Sequence, residues 1–321
     1  MTHLLTEPRQ RPARLLAAVL AILLLVLTGA CGSATSRKPS AVEDKVRVSG
    51  DFGKKPTITI AAPLKIPATK SWTLVKGTGG AVAPQSTAIL HLTMANARTG
   101  KTLISTAEQG QHPLDADLTQ ALFPSLVKAV TGATVGSRVV VASTAKDSYG
   151  TKGNPQLGLK AGDPVVLVAD VLSADPASVL KGPGGTVARP PRSAPRLKEK
   201  GGTPTGFDVS GLTKPKKVGS YVLQKGTGPA INGPTRIVAN YLGEVWGGKH
   251  PFDSSYTKEP AKFSVGTGGV VPCWDKGLAG AKAGSRMLLV CPPSTGYGSH
   301  AQQGIPANST LVFVVDVLGV G

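Results

Sequence analysis

The sequence predicts an α+β protein made of two related domains, each with a curved, mostly antiparallel sheet wrapped on one short helix. Short β-branched runs separated by Gly, Pro and Thr indicate the strands. Motifs of the first half recur in the second half about 146 to 149 residues later and in the same order. A register that persists across a whole domain indicates a tandem duplication.

Four motifs are repeated, and coincidence would not keep all four in step. They are KGTG at residues 76–79 and 225–228, GSR at 136–138 and 284–286, YG at 149–150 and 297–298, and DVL at 170–172 and 316–318.

Each half carries one predicted helix with a proline in its first turn, where the missing N–H costs nothing. These helices are residues 124–131 and 272–279. The predicted strands are residues 58–60, 88–93, 138–143 and 165–171 in the first half, and 220–224, 236–245, 262–265, 285–291 and 310–317 in the second.

The N-terminus has the pattern of a targeting segment. Three arginines within residues 9–14 precede an apolar run at residues 15–27, which is too short to span a bilayer comfortably. The run leads through Thr-Gly-Ala to Cys31, which resembles the lipobox of bacterial lipoproteins, where the cysteine is lipidated. An ordinary secretory signal is the alternative. We therefore expect residues 1–30 to be a lipoprotein signal peptide, with the protein exported and anchored through Cys31 to the outer face of the cell membrane.

Composition sets the remaining boundaries. Residues 31–56 are polar and lack periodicity, which predicts a disordered tether before a first domain at 57–175. Residues 176–218 are a basic, Pro/Gly-rich linker with nine Lys/Arg and two Asp/Glu, and the second domain follows at 219–321. Much of the net charge of +18 therefore lies in a segment nearly free of aromatic residues, which argues against nucleic-acid binding. A solvated, extended linker is expected, with contact to anionic lipid or wall polymers as the alternative.

Few residues are suited to covalent or metal chemistry. Cys273 and Cys291 are the only cysteines after Cys31, and export favours a disulfide between them, with two buried thiols as the alternative. The sequence contains no nucleophile elbow, metal-spaced His/Cys cluster or phosphate-binding loop. It therefore predicts no cofactor and no metal, and it disfavours hydrolysis and redox chemistry.

Aromatic residues are concentrated in the second half. Eight of the fourteen lie between Tyr241 and Phe313. Aromatic side chains bury a large apolar area, so such a cluster predicts a dry pocket held on a sheet.

Within residues 218–321 several separated motifs follow one another in order: Tyr241 on a predicted strand, FDSS at 252–255, VVPCW at 270–274, Tyr297, IP at 305–306 and TLVF at 310–313. In their order and spacing these motifs resemble the FKBP-type peptidyl-prolyl cis–trans isomerases, the macrolide-binding immunophilins. The resemblance implies two FKBP-like domains, proline-containing polypeptide substrates and a possible macrolide ligand. It also implies a pocket with Trp274 as its floor, with Tyr297 and the Val271 N–H as donors to substrate carbonyls, with Asp253 as a rim acceptor, and with Tyr241, Phe252, Val270, Val271, Ile305 and Phe313 as walls.

The residues themselves allow other interpretations. Trp274 and Phe313 could be ordinary core residues, and Asp253 could cap a turn. We expect Phe263 to belong to the core, since it alternates along its strand. A position where the family often has an aromatic residue is Ala261 here, which leaves substrate preference and macrolide affinity open.

The first half shares the scaffold motifs but not the pocket side chains. Tyr149 matches Tyr297, but the other aligned positions differ, and we expect a degenerate, non-catalytic domain. The alignment pairs Tyr241 with Thr93, Phe252 with Ile104, Asp253 with Ser105, Trp274 with Leu126, Ile305 with Leu159 and Phe313 with Leu167.

The expected function is that of a folding catalyst outside the membrane. An X–Pro bond isomerises over a barrier of about 18–20 kcal/mol, and no covalent bond or proton need be exchanged. An apolar pocket with a few fixed donors suffices for this reaction. The alternative is a surface protein or chaperone that binds proline-containing segments without turnover.

Overall fold

The structure is a computed structural model that describes residues 42–119, 123–150 and 152–321. The predicted signal peptide and Cys31 lie outside the described residues. The first half contains β1 (Val46–Ser49), β2 (Thr57–Ile60), β3 (Lys70–Val75), β4 (Thr87–Asn96), β5 (Thr102–Ser105), β6 (Leu114–Asp117), α1 (Pro124–Val130), β7 (Arg138–Ser143) and β8 (Val165–Ala174).

The second half repeats this series. It contains β9 (Thr186–Val187), β10 (Arg196–Lys200), β11 (Thr203–Asp208), β12 (Gly219–Lys225), β13 (Thr235–Val245), β14 (Asp253–Ser254), β15 (Ala261–Val265), α2 (Pro272–Gly277), β16 (Arg286–Cys291) and β17 (Leu311–Val320). Short 3-10 turns occur at Glu43–Lys45, Pro155–Leu157 and Pro293–Thr295.

The two main sheets have the same strand order. The first runs β3-β7-β8-β4-β5, with β6 also pairing β4, and the second runs β12-β16-β17-β13-β14, with β15 also pairing β13. The pairings within both sheets are antiparallel. In each half the long central strand pairs with the last strand, so the residues of that pair occupy the middle of the sheet.

Each sheet buries both of its faces. One face packs on the short helix, through a cluster that includes Leu126 of α1 in the first half and Trp274 of α2 in the second. The opposite face of the first sheet packs on Val46 and Ile58 of the β1–β2 hairpin. Successive side chains of a strand point to opposite faces of the sheet. The apolar residues of these strands therefore face the helix on one side and the hairpin on the other.

The prediction that residues 31–56 form a disordered tether is wrong from residue 42 onward. Strand β1 pairs with β2, and Val46 is only 6% exposed. The signal was weak because β1 has four residues and alternates apolar and polar side chains in a Lys-rich context. Its apolar side chains gain stability from the face of the sheet that they cover.

The prediction of an extended, solvated linker at residues 176–218 is also wrong in part. Strand β9 pairs with the edge of β12, and β10 and β11 form an antiparallel hairpin. Ala194 and Phe207 are buried against the second sheet. Most basic residues of the hairpin stay exposed, so a high charge content coexists with a packed apolar face.

The repeated GSR and DVL motifs form one ion pair in each half. Arg138 Nε lies 2.6 Å from Asp170 Oδ1, and Arg286 Nε lies 2.6 Å from Asp316 Oδ1. In the second half Glu199 of the β10–β11 hairpin also contacts the arginine. These pairs link two sheet strands to the covering hairpin, which gives the motifs a structural role.

Candidate functional site

A cavity of about 440 Å³ lies beside α2 on the helix-bearing face of the second sheet. Its residues come from β13, β14, β15, β17, α2 and three loops. It is lined by Tyr241, Phe252, Asp253, Phe263, Gly269, Val270, Val271, Trp274, Tyr297 and Phe313.

Trp274 is the centre of the aromatic contacts. Helix α2 begins at Pro272, which places Trp274 in its first turn with only 4% of its surface exposed. Its ring centroid lies 4.8 Å from that of Phe263, 5.5 Å from that of Phe313 and 5.7 Å from that of Tyr241. The pairs with Phe313 and Tyr241 are edge-to-face and the pair with Phe263 is tilted. Aromatic pairs contribute about 0.5–1.5 kcal/mol each, so the walls of the cavity hold one another in place.

Two N–H groups at the cavity have no acceptor within the described residues. One is the buried indole Nε1 of Trp274. The other is the backbone N–H of Val271, the residue that precedes α2. The half-buried Val271 N–H can donate to a ligand carbonyl, whereas the enclosed indole N–H is left unpaired at a cost of about 1–3 kcal/mol.

Tyr241 and Asp253 form a hydrogen-bonded pair in the wall. The Tyr241 hydroxyl donates to Asp253 Oδ2, and the Ser254 N–H donates to Oδ1 at 2.8 Å. Partial burial and the bond to Asp253 raise the pKa of Tyr241 well above its usual value. The tyrosine therefore stays protonated at neutral pH, and the carboxylate fixes the position of its ring.

Gly243 gives two rings of the cavity the room they occupy. A Cβ at this position of β13 would lie 2.6 Å from Phe252 Cζ and 2.7 Å from Phe313 Cε1. The two rings meet edge-to-face with centroids 5.7 Å apart. Only glycine leaves the strand surface low enough for both rings to lie over it.

Tyr297 lies in the loop after the last 3-10 turn and is 38% exposed. Its hydroxyl makes no hydrogen bond with any residue that the structure describes. The loop itself is held by the Gly298 N–H, which donates to the Pro293 carbonyl at 2.9 Å. Tyr297 thus presents an unpaired hydroxyl to the cavity on a closed turn.

The structure brings together eight of the nine site residues that the sequence predicts. Ile305 does not line the cavity; it is 5% exposed and belongs to the core cluster that also contains Trp274 and Phe313. Phe263 packs against the core cluster, as the sequence predicts, and its ring also lines the cavity, which the sequence did not indicate. Gly269 was missed as well, since a glycine in a loop gives no signal for a cavity wall.

Comparison with known proteins assigns this region to a family. Residues 228–318 match the sequence model of the FKBP-type peptidyl-prolyl cis-trans isomerases. The FKBP-type peptidyl-prolyl cis-trans isomerase FkpA of Escherichia coli strain K12 is 44% identical over 100 residues, which cover 31% of this chain and 36% of the relative. The match to this family covers most of the second half of the chain.

A further relative and one solved structure match similar stretches. FK506-binding protein 4 of Mycosarcoma maydis is 35% identical over 115 residues, or 35% of this chain and 30% of the relative. A crystal structure of FkpA from Escherichia coli is 40% identical over a match that covers 32% of this chain and 47% of the FkpA chain. The TM-score of this match is 0.30. The chain thus spans about a third of the length of the curated relatives it matches. The antiparallel sheet on one short helix and the sequence match at residues 228–318 fit an α+β FKBP fold for the second half.

A disulfide lies directly beside the cavity of the FKBP domain. It joins Cys273, the residue before Trp274, to Cys291 at the end of β16. Both cysteines are fully buried. The bond ties the first turn of α2 to the sheet beneath it and so limits movement of the neighbouring tryptophan.

The strand register corrects the alignment of the first half with the FKBP domain. Asn240 pairs with the aspartate of the second DVL motif and His91 with that of the first, so Tyr241 corresponds to Leu92 and not to Thr93. The N–H of Tyr241 donates to Ser255 Oγ at 2.9 Å, just as that of Leu92 donates to a threonine hydroxyl. The predicted pairing was therefore off by one residue along the strand. A slip of one residue exchanges the two faces of a strand, so it pairs a residue of one face with a residue of the other.

The same register corrects two more pairs. Gly243 pairs with Asp253 on β14 and Met94 pairs with Ile104 on β5, so Asp253 corresponds to Ile104 rather than Ser105. Phe252 consequently corresponds to Leu103 rather than Ile104. Gly243 corresponds to Met94, a pair that the sequence did not indicate. The equivalents of Tyr241, Gly243, Trp274 and Phe313 are buried together in one core cluster, as Leu92, Met94, Leu126 and Leu167.

Within the described residues no group of three or more His, Cys, Asp or Glu side chains could hold a metal ion. No helix in that part of the chain is long and apolar enough to cross a membrane.

Proposed function

We propose that the second half catalyses cis–trans isomerisation of X–Pro bonds in polypeptides through the aromatic cavity. The observation that carries this proposal is a cavity of aromatic rings with two unpaired N–H donors, those of Val271 and Trp274. The match to the isomerase family supports it. The uncatalysed barrier is about 18–20 kcal/mol because the twisted amide loses its resonance. A catalyst therefore needs to bind the twisted amide more tightly than the planar ones.

The cavity has two means of favouring the twisted amide. Its aromatic rings would pack against the proline ring and exclude the water that stabilises the polar, planar amide. The Val271 N–H and the Tyr297 hydroxyl would donate to the carbonyl groups that flank the bond, and so hold one side of it while the other side rotates. No step requires a proton to leave the protein, which agrees with the raised pKa of Tyr241.

Asp253 has a positioning role in this mechanism. Both of its oxygens accept hydrogen bonds, from Tyr241 and from the Ser254 N–H. Because the carboxylate is occupied in this way, it would orient the wall rather than act as a base.

The test is an isomerisation assay on a short X–Pro peptide with the full chain. Trp274→Leu places at the floor the residue that the first half has there, and we expect kcat/KM to fall about tenfold or more. Tyr297→Phe should lower it as well, because the substrate carbonyl loses a donor. Tyr149→Phe in the first half is the matched control, and it should leave the rate unchanged if that half is non-catalytic.

An inactive wild-type protein that still binds proline peptides would contradict the isomerase proposal. The protein would then bind proline-containing segments without turnover. Equal losses for Tyr297→Phe and Tyr149→Phe would instead contradict the assignment of catalysis to the second half alone.

We also propose that the substrates are exported proteins and that the chain is anchored outside the cytoplasm by a lipid on Cys31. The support is the arginine-rich start, the apolar run and the small residues before the cysteine. Labelling with a fatty-acid probe tests this part: the label should be present on the wild type and absent on Cys31→Ala. A labelled variant would refute it.

A macrolide is a further proposed ligand of the cavity. One relative carries the name FK506-binding protein 4. If FK506 occupies the cavity, it should inhibit the isomerase assay competitively, and Trp274→Leu should weaken its binding. Inhibition that persists unchanged in the variant would place the ligand elsewhere.

A further inference from the structure

A loop of the first half contacts the wall of the FKBP cavity. This loop, residues 106–113, connects β5 to β6 and carries His112. A Cβ on Gly268 would lie 3.3 Å from His112 Cε1 and 3.5 Å from Nε2. The next residue along the chain, Gly269, lines the cavity. The imidazole is therefore adjacent to the cavity wall, although it belongs to the other half of the protein.

The position of this loop is set by polar contacts between the halves. Arg236 on β13 is largely buried and lies 2.9 Å from the carboxylate of Asp175, which follows β8. Ser264 near the end of β15 accepts from the Arg236 guanidinium at 2.7 Å and donates to Asp115 Oδ2 at 2.6 Å. Asp115 is on β6, immediately after the loop that carries His112. Both sides of the contact are thus attached to one network.

The cavity wall itself leads toward this contact. The unpaired Val271 N–H and the lining residues Val270 and Gly269 follow one another along the chain, and Gly268 comes next. A polypeptide whose carbonyl accepts from Val271 has its neighbouring residues along this segment. Because His112 is exposed and its ring borders Gly268, an extended polypeptide would meet it just outside the cavity.

We propose that the 106–113 loop forms a second subsite for the polypeptide, in which His112 contacts residues that flank the proline. The proposal rests on the proposed function, because it assumes that the proline occupies the aromatic cavity. His112 can donate or accept a hydrogen bond through its ring nitrogens, which suits the amide groups of an extended chain. The first half would then contribute to substrate recognition although its own equivalent of the cavity is filled.

The test compares two peptides with the same X–Pro centre, one short and one extended on both sides. Their dissociation constants are measured by calorimetry with the full chain, so that binding is read without turnover. His112→Ala should weaken the extended peptide about threefold to tenfold, the equivalent of one hydrogen bond, and leave the short peptide unchanged. His112→Gln, which keeps a hydrogen-bonding side chain, should restore part of the affinity.

Gln111→Ala is the matched control. Its side chain is exposed in the same loop, and no hydrogen bond or ion pair joins it to the second half among the described residues, so neither peptide should change. Equal affinity of the wild type for the two peptides would overturn the subsite, whatever the isomerase assay gives. Equal weakening of both peptides by His112→Ala would overturn it too, because His112 would then act only on the cavity wall. Wild-type protein that prefers the extended peptide but lacks turnover would refute the isomerase proposal and leave the subsite standing.

Discussion

Gly243→Ala is the smallest change that we expect to close the aromatic cavity. The added Cβ would lie 2.6 Å from Phe252 Cζ and 2.7 Å from Phe313 Cε1. Carbon atoms in contact prefer about 3.5–4.0 Å, so one or both rings must move by about 1 Å. Phe313 is on a central strand and 4% exposed, whereas Phe252 is in a loop at the cavity edge. Phe252 is therefore the ring that should move, and the cavity is the space available to it.

The expected cost follows from overpacking, which typically destabilises a protein by about 1–3 kcal/mol. We expect a loss of this size in the free energy of unfolding, measured with urea, together with weaker binding of a proline peptide. Gly80→Ala is the control, because a Cβ there meets nothing within 4 Å and the residue does not need a positive φ. An ordinary surface change alters the free energy of unfolding by no more than about 0.5 kcal/mol. A Gly243→Ala variant that stays within this range and binds the peptide normally would refute the claim that Gly243 keeps the cavity open.

Three further changes test the scaffold. Arg286→Met leaves Asp316 buried without its cation, and urea denaturation should report a loss of about 3–5 kcal/mol; a neutral result would mean that the pair is dispensable. Replacing both bonded cysteines with alanine opens a link across a separation of 18 residues and should cost about 3 kcal/mol of unfolding free energy, whereas an unchanged midpoint would refute that estimate. Hydrogen bonds from Arg98 hold the pKa of Asp163 well below its usual range. The ionised Asp163 therefore stabilises the folded state fully above about pH 4, the pKa of an aspartate in the unfolded chain. This stabilisation is lost as the pH falls toward the pKa of Asp163 in the folded state. Asp163→Asn should therefore flatten the acid limb of stability against pH, and an identical limb would contradict the assignment.

The aromatic cavity could be predicted because its residues are rare in the chain and specific in type. Trp274, Phe313 and Tyr297 stood out against a background poor in aromatic residues. Gly243 could not be predicted in the same way. Its contribution is the absence of a side chain, and glycine is common in this sequence. The cavity role of Phe263 was hidden because alternation along a strand gives the face of a residue but not what lies above it.

The hairpins were missed for a different reason. Strands β1 and β10 are short, and charged residues interrupt their apolar positions. Their stability comes from the face of the sheet that they cover, a long-range contact that no local window contains. The register error in the first half had a similar cause. Motifs at the two ends of a domain fix its overall alignment, but an offset of one residue within a central strand is visible only from its partners.

Met94 allows a test of whether the cavity depends on empty space or on aromatic walls. It occupies in β4 the place of Gly243 and is fully buried against Leu92, Leu126 and Leu167. Met94→Gly removes a large buried side chain, which should cost about 2–5 kcal/mol of unfolding free energy in urea. The opened space would be lined by leucines, without the indole N–H that Trp274 provides in the second half. We therefore expect no gain of proline-peptide binding in a Met94→Gly, Trp274→Leu double variant over Trp274→Leu alone. A gain would show that the space suffices and that the aromatic walls do not define the site.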